Sequence, residues 1–308
     1  MDLINYSLYL SQVSFLIIIR EAAMWLLFAS LNPISEGFRS VFVKKASKEV
    51  EPIIISWGNY ILPVLLFSPG LFFIEFNLNA TALTATFISS GVNVIAAVWY
   101  MRAISLGDIS EVLPMMAFTP LVLLITSPFI VGEFPPLLGL IGIILVIGGS
   151  YLLNINIRNR DLLAPFKSLL RNKGTRYMLM VAALWGITAN FDKIAITNSS
   201  IPQHVIFMNI FIFFTLSIYL VIKKKFVWQK INPVKGKLLA VSAFTSGSFI
   251  FHMTALSMTF VAYVVAMKRL SGPISVILGH FFLNEPNIRA RLLGSLVMLA
   301  GVLLIVLA

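Results

Sequence analysis

The chain has 308 residues, 59% hydrophobic and 11% charged, where soluble domains run near ~45–50% and ~25%. A water-soluble fold would need far more polar residues to cover its surface, so an ordinary globular protein is excluded. The formal charge of +11 is compatible with nucleic-acid binding, but the basic residues lie between apolar segments rather than along one polar face, so no nucleic acid is expected as a partner. Without cysteine there are no disulfides, thiolate metal sites or cysteine nucleophiles, and the redox compartment stays undetermined. An integral membrane protein is what remains.

Residues 1–21 read as an N-terminal extension. LINYSLYLSQVSFLIII is long enough for a marginal span or an interfacial helix, and Arg20–Glu21 is expected to close it. Asp2 stands where a signal peptide would be basic; an extra spanning helix, a peripheral helix and a disordered start all fit. Ten stretches then meet the requirement of about 20 mostly apolar residues for a crossing: 22–43, 52–74, 81–104, 109–131, 136–154, 177–197, 203–222, 238–258, 261–283 and 288–307. They are numbered spans 1 to 10 below. The long connections are basic, NIRNRDLLAPFKSLLRNKGTR between spans 5 and 6 and KKKFVWQKINPVKGK between spans 7 and 8, and neither could form a soluble domain.

Eighteen of the 23 Lys and Arg fall in or beside loops on one side of such an arrangement, and Arg20 alone falls on the other. The positive-inside rule then makes loops 1–2, 5–6, 7–8 and 9–10 cytoplasmic, with both ends of the ten-span core outside.

The halves also resemble each other. Aligning 101–152 with 253–304 gives 12 identities in 52 positions without a gap, including Glu133 with Glu285, Gly142 with Gly294 and Gly149 with Gly301. At an offset of 153, LNPISEGF (31–38) matches LWGITANF (184–191) at Leu, Ile and Phe. The expected organisation is a first repeat over 22–154, a basic linker over 155–176 and a second repeat over 177–308. Five spans per repeat is odd, so the second copy enters the membrane inverted. The fold expected is all-α, ten transmembrane helices as two inverted five-helix repeats. Inverted repeats build alternating-access transporters with a site near the midplane.

MWLLFASLNPISEGFRSVFVKKA at the start of the first repeat, and the paired endings VGEFPPLLGLIGIILVIGGSYLL and LNEPNIRARLLGSLVMLAGVLLIVL, resemble the drug/metabolite transporter superfamily in its ten-helix EamA branch. The resemblance covers about 22–308. It implies a central cavity lined by spans 1, 3, 4, 6, 8 and 9 with spans 5 and 10 peripheral, a small-molecule substrate, and residence in the plasma membrane of a prokaryote. Relatives place both termini in the cytoplasm, the reverse of what the basic loops indicate here. Amino-acid, sugar and metabolite carriers all belong to this branch, so the substrate is left open.

Ionisable groups inside spans are costly and usually face a cavity or a partner. Glu36 and Arg39, spaced i,i+3, share one face of span 1 and read either as a self-neutralising pair or as a proton- or substrate-responsive site. Asp192 and Lys193 of span 6 occupy the repeat positions of Arg39 and Ser40; they point apart, and either each needs its own partner or Lys193 snorkels to the interface. Lys268 and Arg269 lie ~4–6 Å from the centre of span 9 at 1.5 Å per residue, with no acidic residue in that helix. They are balanced either by Glu36 and Asp192 across the bundle or by an anionic substrate. This dipeptide is similar to the phosphate-binding pair of plastid triose-phosphate translocators, and Arg and Lys suit phosphate or carboxylate. Asn93, His252 and Tyr263 complete the candidate substrate site; Tyr100, Arg102, Ser246 and Ser248 are weaker, and Gly91, Ser246 and Gly247 read equally well as packing residues. Pro114, Pro120 and Pro128 in span 4 and Pro273 in span 9 should interrupt the hydrogen-bond ladder beside the pathway.

No enzyme, ATP-binding or dinucleotide motif is present, so no enzyme and no cofactor are expected. The reading is secondary transport of a small metabolite bearing phosphate or carboxylate, with a coupling ion or counter-substrate as a further partner. The alternatives are export of amino acids or other zwitterionic or drug-like metabolites, and a non-transporting assembly or regulatory subunit.

Overall fold

A computed structural model describes residues 3–106, 112–154, 163, 167, 172–283 and 288–308, with residues 3–22 described through their backbone alone. The described elements are helical, and the ten expected spans are all there. Spans 2, 3, 4, 6, 7, 8 and 9 are long and apolar enough to cross a bilayer: Pro52–Phe72, Ala80–Leu106, Leu113–Ile130, Lys173–Asn198, Ile201–Ile222, Asn232–Met258 and Val261–Phe282. Spans 5 and 10 are apolar helices over Leu137–Asn154 and Ile288–Val306. Span 1 is the second half of a 44-residue helix, Leu3–Ala46. That helix is ~66 Å long at 1.5 Å per residue, about twice the ~30 Å hydrocarbon core. It runs unbroken through Arg20–Glu21, against the expectation that this pair ends a separate element, so the N-terminal segment continues span 1 in line.

Local chemistry sets the ends and breaks. The Asn172 side chain accepts from Gly174 N at 2.7 Å to start span 6, and Ser200 caps span 7 ahead of Pro202, each satisfying an otherwise orphaned donor. Span 4 begins as a 3-10 segment, Leu113–Phe118, and becomes α-helical over Thr119–Ile130. Span 9 is likewise two helices, Val261–Lys268 and Ser271–Leu283. Pro273 has no N–H for the Arg269 carbonyl, which accepts instead from Gly272 N at 3.0 Å. Thr119 and Ser271, the first residues after these breaks, are repeat equivalents, so the interruption obeys the internal symmetry. Span 2 carries a break that composition did not announce, at Asn59–Tyr60 between Pro52–Gly58 and Ile61–Phe67.

The packing obeys the same symmetry. Spans 3 and 6, 1 and 8, and 5 and 10 are the most extensively packed pairs. Exchanging the repeats turns the first pair into the second and the third into itself. Spans 5 and 10 approach through glycines: a Cβ on Gly142 would lie 2.6 Å from the Gly301 carbonyl oxygen, and one on Gly149 2.6 Å from that of Gly294. Repeat exchange maps these two contacts onto each other. Gly247 also packs closely, its added Cβ falling 3.2 Å from Ser35 Oγ, whereas nothing lies within 4 Å of one on Gly91. Gly91→Ala is therefore expected to raise stability by about 0.5–1 kcal/mol through helix entropy alone, and a loss in unfolding experiments would show a close approach at that position.

The outer surface is apolar, with Phe72, Phe73, Phe129 and Leu137 among its largely exposed side chains, as lipid contact requires. The protein is a multi-pass membrane protein. Loops 1–2 and 7–8 share one face, joined there by ion pairs of Lys225 with Glu51 at 2.5 Å and of Lys237 with Glu49. A recess of about 390 Å³ lies between these loops.

Candidate functional site

Among the described residues, two interior polar clusters hold most of the ionisable candidates. The first forms where spans 1, 8 and 9 meet. Gly37 lets span 9 close onto span 1 by contact with Ile274, and Ser40 Oγ donates to Ser275 Oγ or accepts from it at 2.8 Å. Here Glu36 Oε2 accepts from Arg39 Nε at 2.8 Å and from Arg39 Nη2 at 2.5 Å. Its Oε1 accepts from Ser248 Oγ at 2.6 Å and faces Lys268 Nζ at 3.7 Å. Asn32 Nδ2 in turn donates to the hydroxyl and carbonyl oxygens of Ser248, both at 2.9 Å. Arg269 sits in the two-residue break of span 9, half-buried, with its buried Nε unpartnered.

Exposure separates the carboxylate from the cations. The Glu36 side chain is 11% accessible, whereas those of Arg39 and Lys268 are 29% and 35% accessible. Tyr60 and Tyr100 lie within Coulomb reach of Arg39, and Asp192 within reach of Lys268. Tyr60 of span 2, Tyr100 of span 3 and Asp192 of span 6 are thus ionisable neighbours of these two cations from other spans. His252, one turn beyond Ser248 on span 8, is 7% exposed with Nδ1 unpartnered, within reach of Lys268, Asp192, Glu36 and Arg269.

The second cluster joins spans 3, 6 and 7. Asp192 Oδ1 accepts from Ser89 Oγ and pairs with His204 Nε2 at 3.2 Å, and His204 Nδ1 meets Thr86 Oγ1 at 2.9 Å. Asn93 Nδ2 donates to Ser89 Oγ at 3.3 Å, which brings Asn93 and Asp192 into one network. Thr86, Ser89, Asp192 and His204 are all buried.

The remaining expectations lie elsewhere. Lys193 does more than snorkel: its ammonium donates to the Leu256 and Thr259 carbonyls at 2.7 and 2.9 Å and faces Glu133 at 3.3 Å. Glu133 accepts from Val261 N at 2.8 Å, so the pair ties together the end of span 8 and the start of span 9. Tyr263 packs against Gly139 of span 5 and stacks on Trp25, its hydroxyl buried and unpartnered; it does not join either cluster. Arg102 is exposed beside Tyr177 at the basic face, and Ser246 donates to the Ser242 carbonyl within its own helix. Glu285 lies outside the described residues.

Three cations and two carboxylates line this interior, with the helix breaks of spans 4 and 9 inside an inverted-repeat frame. The sequence model of the EamA-like transporter family matches residues 23–155 and 172–307. The chain belongs to the EamA-like transporter family. Both repeats of this EamA-like protein are covered by that match, in agreement with the drug/metabolite transporter superfamily. The family consists of transporters rather than enzymes. A solved structure described as "Crystal structure of protein" is similar to it with a TM-score of 0.67 at 14% identity, covering 92% of this chain and 98% of that one, which concerns the fold alone. No curated protein sequence matches significantly.

His204, Thr86, Ser89 and Asn32 escaped the reading of the EamA-like sequence. For span 3 a signal existed: Thr86, Ser89, Ser90 and Asn93 recur at i, i+3, i+4 and i+7, a polar stripe on one face of an apolar helix.

Proposed function

We propose that this EamA-like protein is a secondary transporter that moves a small metabolite bearing a phosphate or carboxylate group by alternating access. The first repeat, 22–154, rocks against the second, 177–308, and Lys268 and Arg269 bind the anionic group. The observation that supports this reading is the state of the cations. Glu36 is held by Arg39 and Ser248 and only faces Lys268, while Arg269 keeps a buried, unpartnered Nε. A charged donor left without an acceptor in a low-dielectric site is costly, and a phosphate or carboxylate supplies the acceptor in the planar geometry a guanidinium prefers. Glu36, Arg39 and Asp192 tune this site, and Asn93 and the free Nδ1 of His252 offer neutral contacts. Tyr263 supports span 9 from behind.

A zwitterionic substrate would need a free carboxylate for its ammonium. Glu36 accepts from Arg39 and Ser248, and Asp192 from Ser89 and His204, which weighs against that alternative. The proposed setting is a plasma membrane with loops 1–2, 5–6, 7–8 and 9–10 in the cytoplasm, as their basic charge favours.

The test is thermal stabilisation of the purified protein by sulfate, phosphorylated metabolites, dicarboxylates, amino acids and sugars, followed by uptake of each hit into proteoliposomes. A ligand at a hundredfold excess over its Kd adds about 2.7 kcal/mol to the folded state. Anions are expected to stabilise the native protein and not Lys268→Ala/Arg269→Ala. Stabilisation by amino acids that survives the double substitution would overturn the assignment.

A further inference from the structure

The second cluster is unexplained by an anion site alone. Asp192 is a carboxylate within a span, 6% exposed, and the imidazole it touches is 0% exposed. Ionisable groups so placed usually serve ion or proton pathways. The cluster also straddles the two repeats: Thr86 and Ser89 belong to the first, Asp192 and His204 to the second. Rocking one repeat against the other would alter these contacts, as it would those of Glu36 with Ser248 and Lys268. Asp192 lies six residues from the Asn198 end of its helix and His204 three from the Ile201 start of the next, within ~9 Å of the face opposite the basic loops at 1.5 Å per residue.

We infer that Asp192 and His204 form a proton-binding site whose occupancy is linked to anion binding at Lys268 and Arg269. The inference rests on the anionic-substrate reading given above. Without the extra proton, His204 Nε2–H donates to the Asp192 carboxylate and Nδ1 accepts from the Thr86 hydroxyl, and the pair carries one negative charge. Uptake of one proton from water makes the pair neutral overall. The Oδ1···Nε2 hydrogen bond persists in both forms, and the Thr86 hydroxyl can serve as donor or acceptor to Nδ1. The linkage has a definite sign. Lys268 lies within Coulomb reach of Asp192, so a negative ligand on Lys268 offsets part of that positive charge and favours the neutral, protonated form of the pair. Anion and proton then bind together, and by reciprocity the proton tightens the anion.

The other groups facing the pair are few. Span 2 contributes Tyr60, span 8 His252 and span 9 Lys268, each within Coulomb reach of Asp192. Span 3 presents only hydroxyls and Asn93 at this level, and span 4 has no ionisable residue over 112–130. Lys193, adjacent in sequence, turns away to Glu133.

The experiment uses the full chain in detergent, labelled with nitrogen-15 at its three histidines. The His204 signal is assigned by His204→Gln or, if that variant does not fold, by its displacement in Asp192→Asn. The His204 nitrogen signals are then followed from about pH 5 to 8.5, and gain of a second ring proton is expected at the acid end. Sulfate, which stays fully ionised over that range, is then added in weak buffer and proton uptake followed with an indicator dye. The native protein is expected to bind sulfate roughly tenfold more tightly at the acid end, within the usual range of coupling, and to take up at most about half a proton per bound sulfate, the largest uptake a tenfold linkage allows; in Asp192→Asn both the proton uptake and the pH dependence of sulfate affinity should be lost. A His204 ring that keeps one form throughout overturns the proton site. Sulfate binding without proton uptake in the native protein overturns the linkage and leaves the anion site standing. If neither sulfate nor phosphorylated or dicarboxylate probes stabilise the protein, the anionic-substrate reading falls and the linkage with it.

Discussion

Glu36→Gln is expected to lower the stability of the protein by about 3–5 kcal/mol, the usual cost of removing one partner of a buried ion pair. The substitution preserves shape and an acceptor for Ser248, so the loss is electrostatic. Both Glu36 oxygens are engaged, Oε2 by two nitrogens of Arg39 and Oε1 by Ser248 and the facing Lys268. Without the charge, Arg39, Lys268 and Arg269 stand together in a membrane interior with no carboxylate among the cluster residues. Glu36→Gln/Arg39→Met should recover much of the loss, because replacing both partners of a buried pair by neutral groups is often close to neutral. The two substitutions should therefore depart from additivity by more than the ~0.5 kcal/mol typical of independent sites. Unfolding of the four proteins in mixed detergent measures the cycle. A Glu36→Gln protein within about 0.5 kcal/mol of the parent would mean that water in the cavity already solvates the cations. Sulfate gives a second reading of the same change: it should stabilise Glu36→Gln more than the parent, since it can enter the position the carboxylate charge has left.

What could be read from the sequence, and what could not, divides by physical cause. Span number, the repeat and the interruption of spans 4 and 9 follow from local properties: apolar length, coincident Gly and Glu positions, and proline's missing N–H. Proline alone was an incomplete guide. Pro33 sits inside the continuous Leu3–Ala46 helix, while span 2 breaks at Asn59–Tyr60, before its Pro63. The Glu36–Arg39 pair was legible because i,i+3 spacing is local. That Lys268 would face Glu36, and Asp192 would meet Ser89 and His204 rather than the cations directly, depends on contacts between residues 232 and 103 positions apart or across a helix turn-around, which no helical period reports. Lys193 illustrates the same limit. Its partners are Glu133 and two carbonyls freed at the end of span 8, and carbonyl acceptors leave no trace in a sequence.

Gly149→Leu is expected to cost about 3 kcal/mol or more, at or beyond the upper end of ordinary overpacking, while Gly148→Leu should stay within about 0.5 kcal/mol, as substitutions away from such contacts do. The two glycines are neighbours on span 5 but face different surroundings. A Cβ on Gly149 would lie 2.6 Å from the Gly294 carbonyl oxygen and 2.7 Å from Met298 N, whereas nothing lies within 4 Å of one on Gly148. Backbone atoms cannot swing aside as a flexible side chain can, so the leucine must push span 10 bodily away. Repeat exchange maps Gly149 onto Gly301, where a Cβ would fall 2.6 Å from the Gly142 carbonyl oxygen and 2.8 Å from Val146 N. Gly301→Leu should therefore cost nearly as much as Gly149→Leu. Spans 5 and 10 contribute no residue to either polar cluster, so both variants, at temperatures where they remain folded, should bind sulfate with the parent's affinity. Equal losses at Gly149 and Gly301 with unchanged sulfate affinity would establish this pair as a symmetric brace outside the binding cavity. A fall in affinity as large as that caused by Lys268→Ala/Arg269→Ala would instead mean that separating spans 5 and 10 reaches span 9, through the contact between Gly139 and Tyr263.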